Sequence, residues 1–221
     1  MTVEQAYDEI VRQQSPVVHL SGKTSTGKST FAHRLADSLG YEVVELDAMV
    51  YDGVIDGLGI GRSSGQSVFH EVYKGRDRLD WIEHFLAYTK SYVQQHFPAN
   101  TKIVLDGALA HPDTVRDFLV LFPGAKMYFF HPANLPVYER YLTERFMKTS
   151  ETYRAGLPGE FWAKIDQAAF LAFCQSREIT PVLHEAIAAY AAESQQASFA
   201  RFDSLHGVNP HIRLVTIGPQ S

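Results

Sequence analysis

The chain of 221 residues has little of several features that assign proteins to specialised classes. It contains one cysteine, Cys174, which excludes an intrachain disulfide, and the apolar residues just before it predict a buried, unreactive thiol. No apolar run approaches the length of a membrane span, and a net charge of −5 disfavours a nucleic-acid sheath or a polybasic membrane anchor. The acidic N-terminus is unlike a basic signal region. We therefore expect a protein of the reducing cytosol with neither a membrane nor a nucleic-acid partner.

Metal-ligand spacings, internal repeats and low-complexity stretches are also missing from the sequence. The ten histidines form no His-x-x-x-His pattern, and Cys-x-x-Cys is impossible with one cysteine, so a structural zinc site is not expected. A hydrophobic content of 45% and a charged content of 20% are ordinary for a globular protein. At this length we predict a single domain over residues 1–221 with one main core.

The most informative segment that is present lies near the N-terminus. The phosphate-binding pattern G-x-x-x-x-G-K-S is matched by Gly22, Lys23, Thr24, Ser25, Thr26, Gly27, Lys28 and Ser29. Its two glycines permit backbone angles that let successive N–H groups surround a phosphate. Lys28 is predicted to reach the β- and γ-phosphates of a nucleotide, and the Ser29 hydroxyl to bind Mg²⁺. Thr30 then begins an amphipathic helix, and residues 16–20 form a short apolar strand, which is the context that an anion site requires.

Strand-like and helix-like segments alternate along the rest of the chain. Strands are predicted over residues 16–20, 42–46, 102–105, 126–130 and 212–217. Helices are predicted over residues 3–14, 30–39, 79–96, from Pro112 to Pro123, 134–147, and from 158 to about 203. This alternation predicts an α/β fold with a mainly parallel five-stranded sheet and helices on both faces. Asp47, Asp106 and His131 all follow or end predicted strands, so we expect them to converge on one cleft, although for His131 a packing role is favoured over a contact to the nucleotide.

Two of these residues are carboxylates suited to phosphoryl transfer. Asp47 could accept a proton from an acceptor hydroxyl or hold a water bound to Mg²⁺, but aspartates at such places also cap turns. Asp106 could orient Mg²⁺ through water, with Gly107 permitting close backbone approach, or could belong to a simple strand-to-helix turn. Both alternatives remain open for each residue.

These segments together resemble the uridine kinases and their relatives among the P-loop small-molecule kinases. The resemblance rests on the phosphate loop, on Leu46-Asp47, on residues 104–109, and on residues 128–132 with Arg140 and Arg145 behind them. It implies the P-loop NTPase fold, an insertion for the acceptor at about 48–100, a helical lid at about 145–160, and Mg²⁺-assisted transfer of the γ-phosphate of ATP. It also implies that Asp47 is the base. In this chain His131 replaces an acidic residue of the family, and Val137 replaces one arginine of its lid helix.

Two arginines are candidates for stabilising the charge that develops during transfer. Helical spacing places Arg145 within the apolar face of the helix at 134–147, where a charged side chain needs a partner such as phosphate. The same spacing places Arg140 nearly opposite that face, but the family pattern favours it. Both therefore remain candidates, with Lys148 and Arg154 behind them. Acidic residues between these basic ones also fit a plain solvated surface.

The acceptor is predicted to bind in the insertion between the second and third strands. Arg76 and Arg78 could bind an anionic acceptor, Asp77 a sugar hydroxyl, and Tyr51 a ring by stacking, although charges before a helix are often solvated or cap it. A nucleoside-like acceptor is favoured. The alternatives are a zeta-toxin-like kinase that acts on a sugar nucleotide and a non-catalytic nucleotide-binding regulator. A GTPase switch is disfavoured because the guanine-specific Asn-Lys-x-Asp motif is missing.

Overall fold

A computed structural model describes residues 1–49, 78–107, 111–153 and 155–218, apart from the side chains of residues 47, 48, 78–82 and 84. The helices of these ranges are α1 (Val3–Gln13), α2 (Lys28–Leu39), α3 (Leu46–Met49), α4 (Arg78–His96), α5 (Val115–Leu121), α6 (Leu135–Phe146), α7 (Gly159–Trp162), α8 (Gln167–Ser176) and α9 (Pro181–Val208). The strands are β1 (Val17–Gly22), β2 (Glu42–Glu45), β3 (Ile103–Asp106), β4 (Lys126–Pro132) and β5 (Arg213–Ile217). None of the described helices combines the length and the apolarity needed to cross a bilayer.

The strands form one sheet in the order β2-β3-β1-β4-β5, and every neighbouring pair is parallel. The central strand β1 pairs with β3 on one side and with β4 on the other. A parallel sheet of this kind has to be covered on both faces, because each crossover returns through a helix. The predicted α/β fold with a parallel five-stranded sheet is confirmed.

Alternation along β4 divides the core into two layers. Tyr128 and Phe130 pack on the face that α1 and α2 cover, together with Phe31 of α2. Met127 and Phe129 pack on the opposite face, together with residues of α4, α5 and α9. Each fully buried large apolar side chain of this kind contributes about 1.5–3 kcal/mol by its removal from water. The two layers hold the carboxyl ends of the strands, and the loops that follow them, in fixed places.

A third core lies beside the sheet and is made by the helices from α6 to α9. Tyr138, Leu142 and Phe146 on one side of α6 are fully buried against residues of α7, α8 and α9. The rings of Phe146 and Phe173 are 4.6 Å apart between centroids. The sequence predicted nearly continuous helix to about residue 203, whereas the structure has three helices here, the last of which ends at Val208. This core holds the end of α6 through contacts with the other helices of the cluster.

Among the element boundaries that differ from the prediction, two lie close to predicted site residues or turn residues. Strand β2 ends at Glu45, and Leu46 begins the short helix α3, so Asp47 lies in a helical turn and not at the end of the strand. Leu46 is buried there against Gly107, where a Cβ would lie 3.0 Å from the Leu46 Cβ. Helix α5 begins at Val115 and not at Pro112, because the Thr114 N–H donates to His111 in a preceding turn. The first difference concerns how the chain leaves β2, and the second concerns how it enters α5.

Candidate functional site

The phosphate loop joins the end of β1 to the start of α2. Gly27 is the N-cap of α2 with a φ of +75°, and no side chain of the described residues caps this helix. By contrast, α1, α6 and α9 are capped by the side chains of Thr2, Asn134 and Thr180. The first amides of a helix have no acceptor within the helix and carry the positive end of its dipole. The start of α2 is therefore built to receive an anion.

Gly22 is needed for a reason that the sequence pattern does not show. Its φ is +127°, and a Cβ at this position would lie 2.2 Å from the carbonyl oxygen of Phe130 in β4. That oxygen is part of the sheet backbone and cannot move aside. A side chain at residue 22 would therefore separate β1 from β4 as well as strain the loop.

Two polar side chains of the loop donate hydrogen bonds to the same backbone carbonyl. The Lys28 ammonium donates a hydrogen bond to the Lys23 carbonyl at 2.7 Å, and the Thr26 hydroxyl donates to the same carbonyl at 2.7 Å. The Ser25 hydroxyl oxygen is buried and has no hydrogen-bond partner among the described residues, and Ser25 has a φ of +62°. A buried hydroxyl without a hydrogen-bond partner destabilises the folded protein. An oxyanion bound inside the loop would accept a hydrogen bond from the Ser25 hydroxyl and so remove this cost.

A cavity of about 760 Å³ opens next to the loop. Its floor is the loop and the first turn of α2, from Thr24 to Thr30. The other walls are formed by strand ends, by α6 and by the connection after α6, namely Glu45, Asp106, Gly107, Ile217, Tyr141, Glu144, Arg145, Lys148, Tyr153, Ala155 and Gly156. The structure thus brings the predicted loop, the predicted carboxylate Asp106 and the predicted arginine Arg145 into one cavity.

Two carboxylates contribute to the strand-end wall. Asp106 is the last residue of β3, is 8% exposed, and pairs in register with Glu45, the last residue of β2. Glu45 also lies 3.7 Å from the exposed His33 imidazole. No sequence pattern singles out Glu45, because only the pairing of β2 with β3 places it beside Asp106. Asp47 lies two residues further on in α3, but its side chain is outside the described part of the chain.

The two candidate arginines occupy different environments. Arg145 lines the cavity, and its Nε–H donates to the carbonyl of Ala155 at 2.6 Å. Arg140 is exposed and is not among the residues of the cavity wall. Its guanidinium lies 3.7 Å from Glu144 and 5.2 Å from the centre of the Tyr141 ring. Lys148 also lines the cavity, whereas Arg154 is outside the described residues.

His131 does not face the cavity, which corrects the expectation that its place at a strand end would bring it to Asp106 and agrees with the favoured packing role. It lies in β4 on the same side of the sheet as Phe129, since side chains alternate along a strand. Its Nδ1 is 3.1 Å from the Ser198 hydroxyl of α9, and its ring meets Phe199 edge to face. Burial lowers the pKa of His131. The residue therefore packs α9 against the sheet.

His19 is a second buried histidine, and no sequence pattern singled it out. Burial lowers its pKa to about 4, so the imidazole is neutral at pH 7. Its Nε2 is 2.9 Å from the carbonyl oxygen of Gly107, which can only accept, so Nε2 carries the proton. Nδ1 is buried without a partner among the described residues. His19 thereby ties β1 to the residue that follows Asp106.

The residues predicted for the acceptor cannot be placed in this site. Tyr51, Arg76 and Asp77 lie outside the described residues, and Arg78 begins α4 without a described side chain. Their assignment stays a prediction.

The oxygens at the cavity fit Mg²⁺. Ser29 and Asp106 both line the cavity, and Mg²⁺ prefers hydroxyl and carboxylate oxygens together with water and phosphate. Among the described residues no group of three or more His, Cys, Asp or Glu side chains is arranged to hold a metal ion. A Mg²⁺ ion here would therefore take one or two ligands from the chain and the others from phosphate and water.

Comparison with known proteins now identifies the domain. A family model described as AAA domain matches residues 17–151, more than half of the chain. The chain belongs to this family. The matched part of the AAA domain runs from β1 past α6 and includes the phosphate loop, Asp106 and Arg145. At the level of the fold, the predicted P-loop architecture is confirmed.

Individual relatives of this AAA domain are distant. A curated relative, the tRNA dimethylallyltransferase of Methylacidiphilum infernorum (isolate V4), is 34% identical over 83 residues, which are 38% of this chain and 24% of that protein. The match thus spans about a quarter of the relative's length.

Solved structures similar to this chain include a gluconokinase from Sinorhizobium meliloti 1021, at 13% identity and a TM-score of 0.40, covering 92% of this chain and 83% of that one. A shikimate kinase from Acinetobacter baumannii in complex with shikimate, at 13% identity, gives a TM-score of 0.46 over 95% of this chain and 86% of that one. Both TM-scores are below 0.5, so these two structures carry no argument about function.

Proposed function

We propose that the protein is an ATP-dependent kinase of the cytoplasm that transfers the γ-phosphate of ATP to a hydroxyl or phosphate of a small molecule, with a nucleoside-like acceptor favoured. The observation that carries this proposal is that the phosphate loop, Asp106 and Arg145 line one and the same cavity. Phosphoryl transfer needs positioning and charge stabilisation more than covalent chemistry from the protein. A loop of amides, a buried carboxylate and a guanidinium in one cavity supply those needs.

The loop and the arginine act on opposite sides of the polyphosphate in this proposal. The amides at the start of α2 and the Lys28 ammonium hold the β- and γ-phosphates, for which Lys28 leaves the Lys23 carbonyl. Arg145 stabilises the charge on the transferring group from the α6 side of the cavity. The segment after α6, at about 145–160, acts as a lid that excludes water.

The carboxylates prepare the acceptor and the metal. Asp47, just beyond the end of β2, accepts the proton of the acceptor hydroxyl in this proposal. Ser29 and Asp106 hold Mg²⁺, which when bound would neutralise charge on the phosphate oxygens. Tyr51, Arg76, Asp77 and Arg78 remain the proposed contacts to the acceptor.

The test is transfer of radiolabelled phosphate from ATP to panels of nucleosides, nucleotides, sugars and vitamins. We expect one class to be labelled by the wild-type protein and not by Lys28→Ala, with Lys126→Ala at the start of β4 as the control. If no panel member is labelled, and if Asp47→Ala leaves ATP hydrolysis unchanged, the kinase proposal fails. ATP binding without hydrolysis or transfer would instead support the non-catalytic regulator.

A zeta-toxin-like kinase would use the same chemistry on a sugar nucleotide. Expression of the wild-type chain would then arrest growth, and Lys28→Ala would relieve the arrest. Normal growth on expression would contradict this alternative and leave the other acceptors open.

A second candidate comes from the curated relative, whose name states transfer of a dimethylallyl group to tRNA. An allylic diphosphate would offer the same kind of anion to the phosphate loop as ATP does. The net charge of −5 disfavours tRNA as the acceptor, because RNA binding draws on basic surfaces. Incubation with labelled dimethylallyl diphosphate and tRNA decides the matter: label in the tRNA would support prenyl transfer, and its absence alongside labelled kinase product would exclude it.

A further inference from the structure

Arg145 is held at the edge of the cavity by a turn in the connection between α6 and α7. Its Nε–H donates to the Ala155 carbonyl at 2.6 Å, and the next residue, Gly156, lies directly against the guanidinium. A Cβ at residue 156 would lie 2.8 Å from Nη2 of Arg145, closer than van der Waals contact allows. The absence of a Cβ at Gly156 therefore makes room for the guanidinium.

The backbone of this turn is held in an unusual conformation. Ala155 has a φ of +48° and Gly156 a φ of +64°, and Ala155 is buried. A residue with a Cβ adopts a positive φ only when surrounding contacts enforce it. The strained alanine presents its carbonyl to Arg145, so the strain is coupled to the orientation of the guanidinium.

The charge of Arg145 is not matched by a carboxylate within the described part of the chain. The neighbouring Glu144 lies 3.7 Å from Arg140, and no ion pair joins Arg145 to any described acidic residue. The half-buried Arg145 guanidinium donates one N–H to the Ala155 carbonyl, and its remaining N–H groups can donate to an anion. The cavity that it lines contains the phosphate loop.

We propose that the Ala155–Gly156 turn is the positioning element for Arg145, and that the missing Cβ at residue 156 lets the guanidinium reach a phosphate held by the loop. This inference rests on the proposed nucleotide site and adds a residue to it. If the Arg145 side chain is already fixed before the ligand binds, less conformational entropy is lost during binding and transfer. Arg145 contacts the phosphate, and Gly156 acts through Arg145.

The substitution Gly156→Ala tests this step with little damage to the fold. The atom that it would strike is the far end of a flexible side chain, so the guanidinium moves away and the backbone need not. Gly40 offers a matched control, because it has a φ of +69° and open space where a Cβ would be. Gly40→Ala therefore carries the same backbone penalty without touching Arg145. We expect both substitutions to lower Tm by a similar amount, about 2–8 °C.

Calorimetric titration with Mg·ATP supplies the decisive measurement. Gly156→Ala should weaken Kd by about tenfold, as for loss of one charge-assisted hydrogen bond, whereas Gly40→Ala should change it by less than about twofold. In an Arg145→Lys background, which has no Nη2, Gly156→Ala should have no further effect. If Gly156→Ala cannot be purified, Gly156→Asn carries the same Cβ on a residue that adopts positive φ more readily.

The outcomes separate this inference from the proposed function. An unchanged Kd in Gly156→Ala, or an equal loss with and without the Arg145 guanidinium, overturns the positioning role and leaves the nucleotide site intact. A wild-type protein that binds no Mg·ATP contradicts the nucleotide site itself and the positioning role with it. Where an acceptor is known, kcat should fall in Gly156→Ala while the KM for the acceptor stays constant.

Discussion

At the scale of single residues, His19 links the interior of the sheet to the wall of the cavity. It lies in β1, is fully buried beside the ring of Phe118, and donates through Nε2 to the Gly107 carbonyl. Gly107 directly follows Asp106, and its own N–H donates to the Leu20 carbonyl at 3.1 Å. A neutral imidazole in this place fixes the backbone at the end of β3, so that the Asp106 carboxylate has a defined position.

The buried His19 should make stability fall in mild acid. Its pKa is about 4 in the folded protein and about 6.5 when unfolded, so the unfolded state binds more protons between these values. Stability is therefore complete above pH 6.5 and is lost as the pH falls towards 4. We expect a loss of about 2 kcal/mol between pH 7.5 and pH 5 from His19, with His131 adding to it in the same direction.

Urea unfolding at the two pH values measures this loss. His19→Gln should be less stable at pH 7.5 but should show a smaller decrease on acidification. The exposed His184 of α9 provides the control, and His184→Gln should keep the full pH dependence of the wild type. Equal decreases for the wild type and His19→Gln would contradict the assignment.

Arg145 and Arg140 lie on the same helix and provide a direct comparison of cavity with surface. Arg145→Ala should lower kcat for phosphate transfer by about a thousandfold, the lower range for an arginine acting on the transferred group. Arg140→Ala should leave kcat within about twofold of the wild type, because Arg140 is exposed and is not part of the cavity wall, so its loss removes no contact to the transferring group. Steady-state kinetics on the labelled acceptor class measures both. A larger loss in Arg140→Ala would reverse the assignment.

At the scale of elements, the connection from α6 to α7 is fastened by α8. Arg177 is the C-cap of α8, and its guanidinium donates to the Thr149 carbonyl at 2.7 Å and to the Met147 carbonyl. The same guanidinium stacks on the ring of Phe173 at 4.6 Å. Two carbonyls of the proposed lid are thus tied to the helical core beside the sheet.

Loss of this tie should loosen the connection without disturbing the sheet. We expect Arg177→Ala to speed hydrogen exchange at residues 147–153, because two carbonyls lose a charged donor, each worth about 1.5–3 kcal/mol. Hydrogen-exchange mass spectrometry measures the effect by peptide. Arg116→Ala, at an exposed position on α5, is the control and should leave these peptides unchanged. Unaltered exchange at residues 147–153 in Arg177→Ala would show that other contacts hold the connection.

At the scale of the whole molecule, the two sides of the cavity belong to different cores. The phosphate loop is held by the two layers around the sheet, whereas Arg145 is held by the cluster of α6 to α9. In the proposed complex, a polyphosphate contacts both sides and joins them. Its binding free energy then adds to the stability of the folded state.

Bound nucleotide should therefore protect the protein against heat. At a Mg·ATP concentration 100 times Kd, ligand linkage adds about 2.7 kcal/mol, which raises Tm by about 5–10 °C for a chain of this size. Lys28→Ala should abolish the shift, and Lys126→Ala should keep it. Differential scanning calorimetry with and without ligand measures these values. Equal shifts in the wild type and Lys28→Ala would place the nucleotide elsewhere.

The sequence by itself determined the parts of this protein that depend on neighbouring residues. Residues only a few positions apart specify the phosphate loop, the alternation of strands and helices, and the apolar face of α6. Their spacing is enough because helices and strands each repeat with a fixed period. The five strands were therefore found to within two residues at each end. The same reasoning separated Arg145, on that apolar face, from Arg140 on the exposed one.

Only the tertiary structure decided which distant residues share the cavity. Glu45 joins Asp106 because β2 pairs with β3, His131 turns away because alternation in β4 aims it at α9, and Gly156 lies against Arg145 because the connection folds back on α6. Gly22 is required in part by a carbonyl 108 positions later in the chain, that of Phe130. Such contacts arise from how whole elements pack, and this packing is a property of the folded core that no local pattern contains.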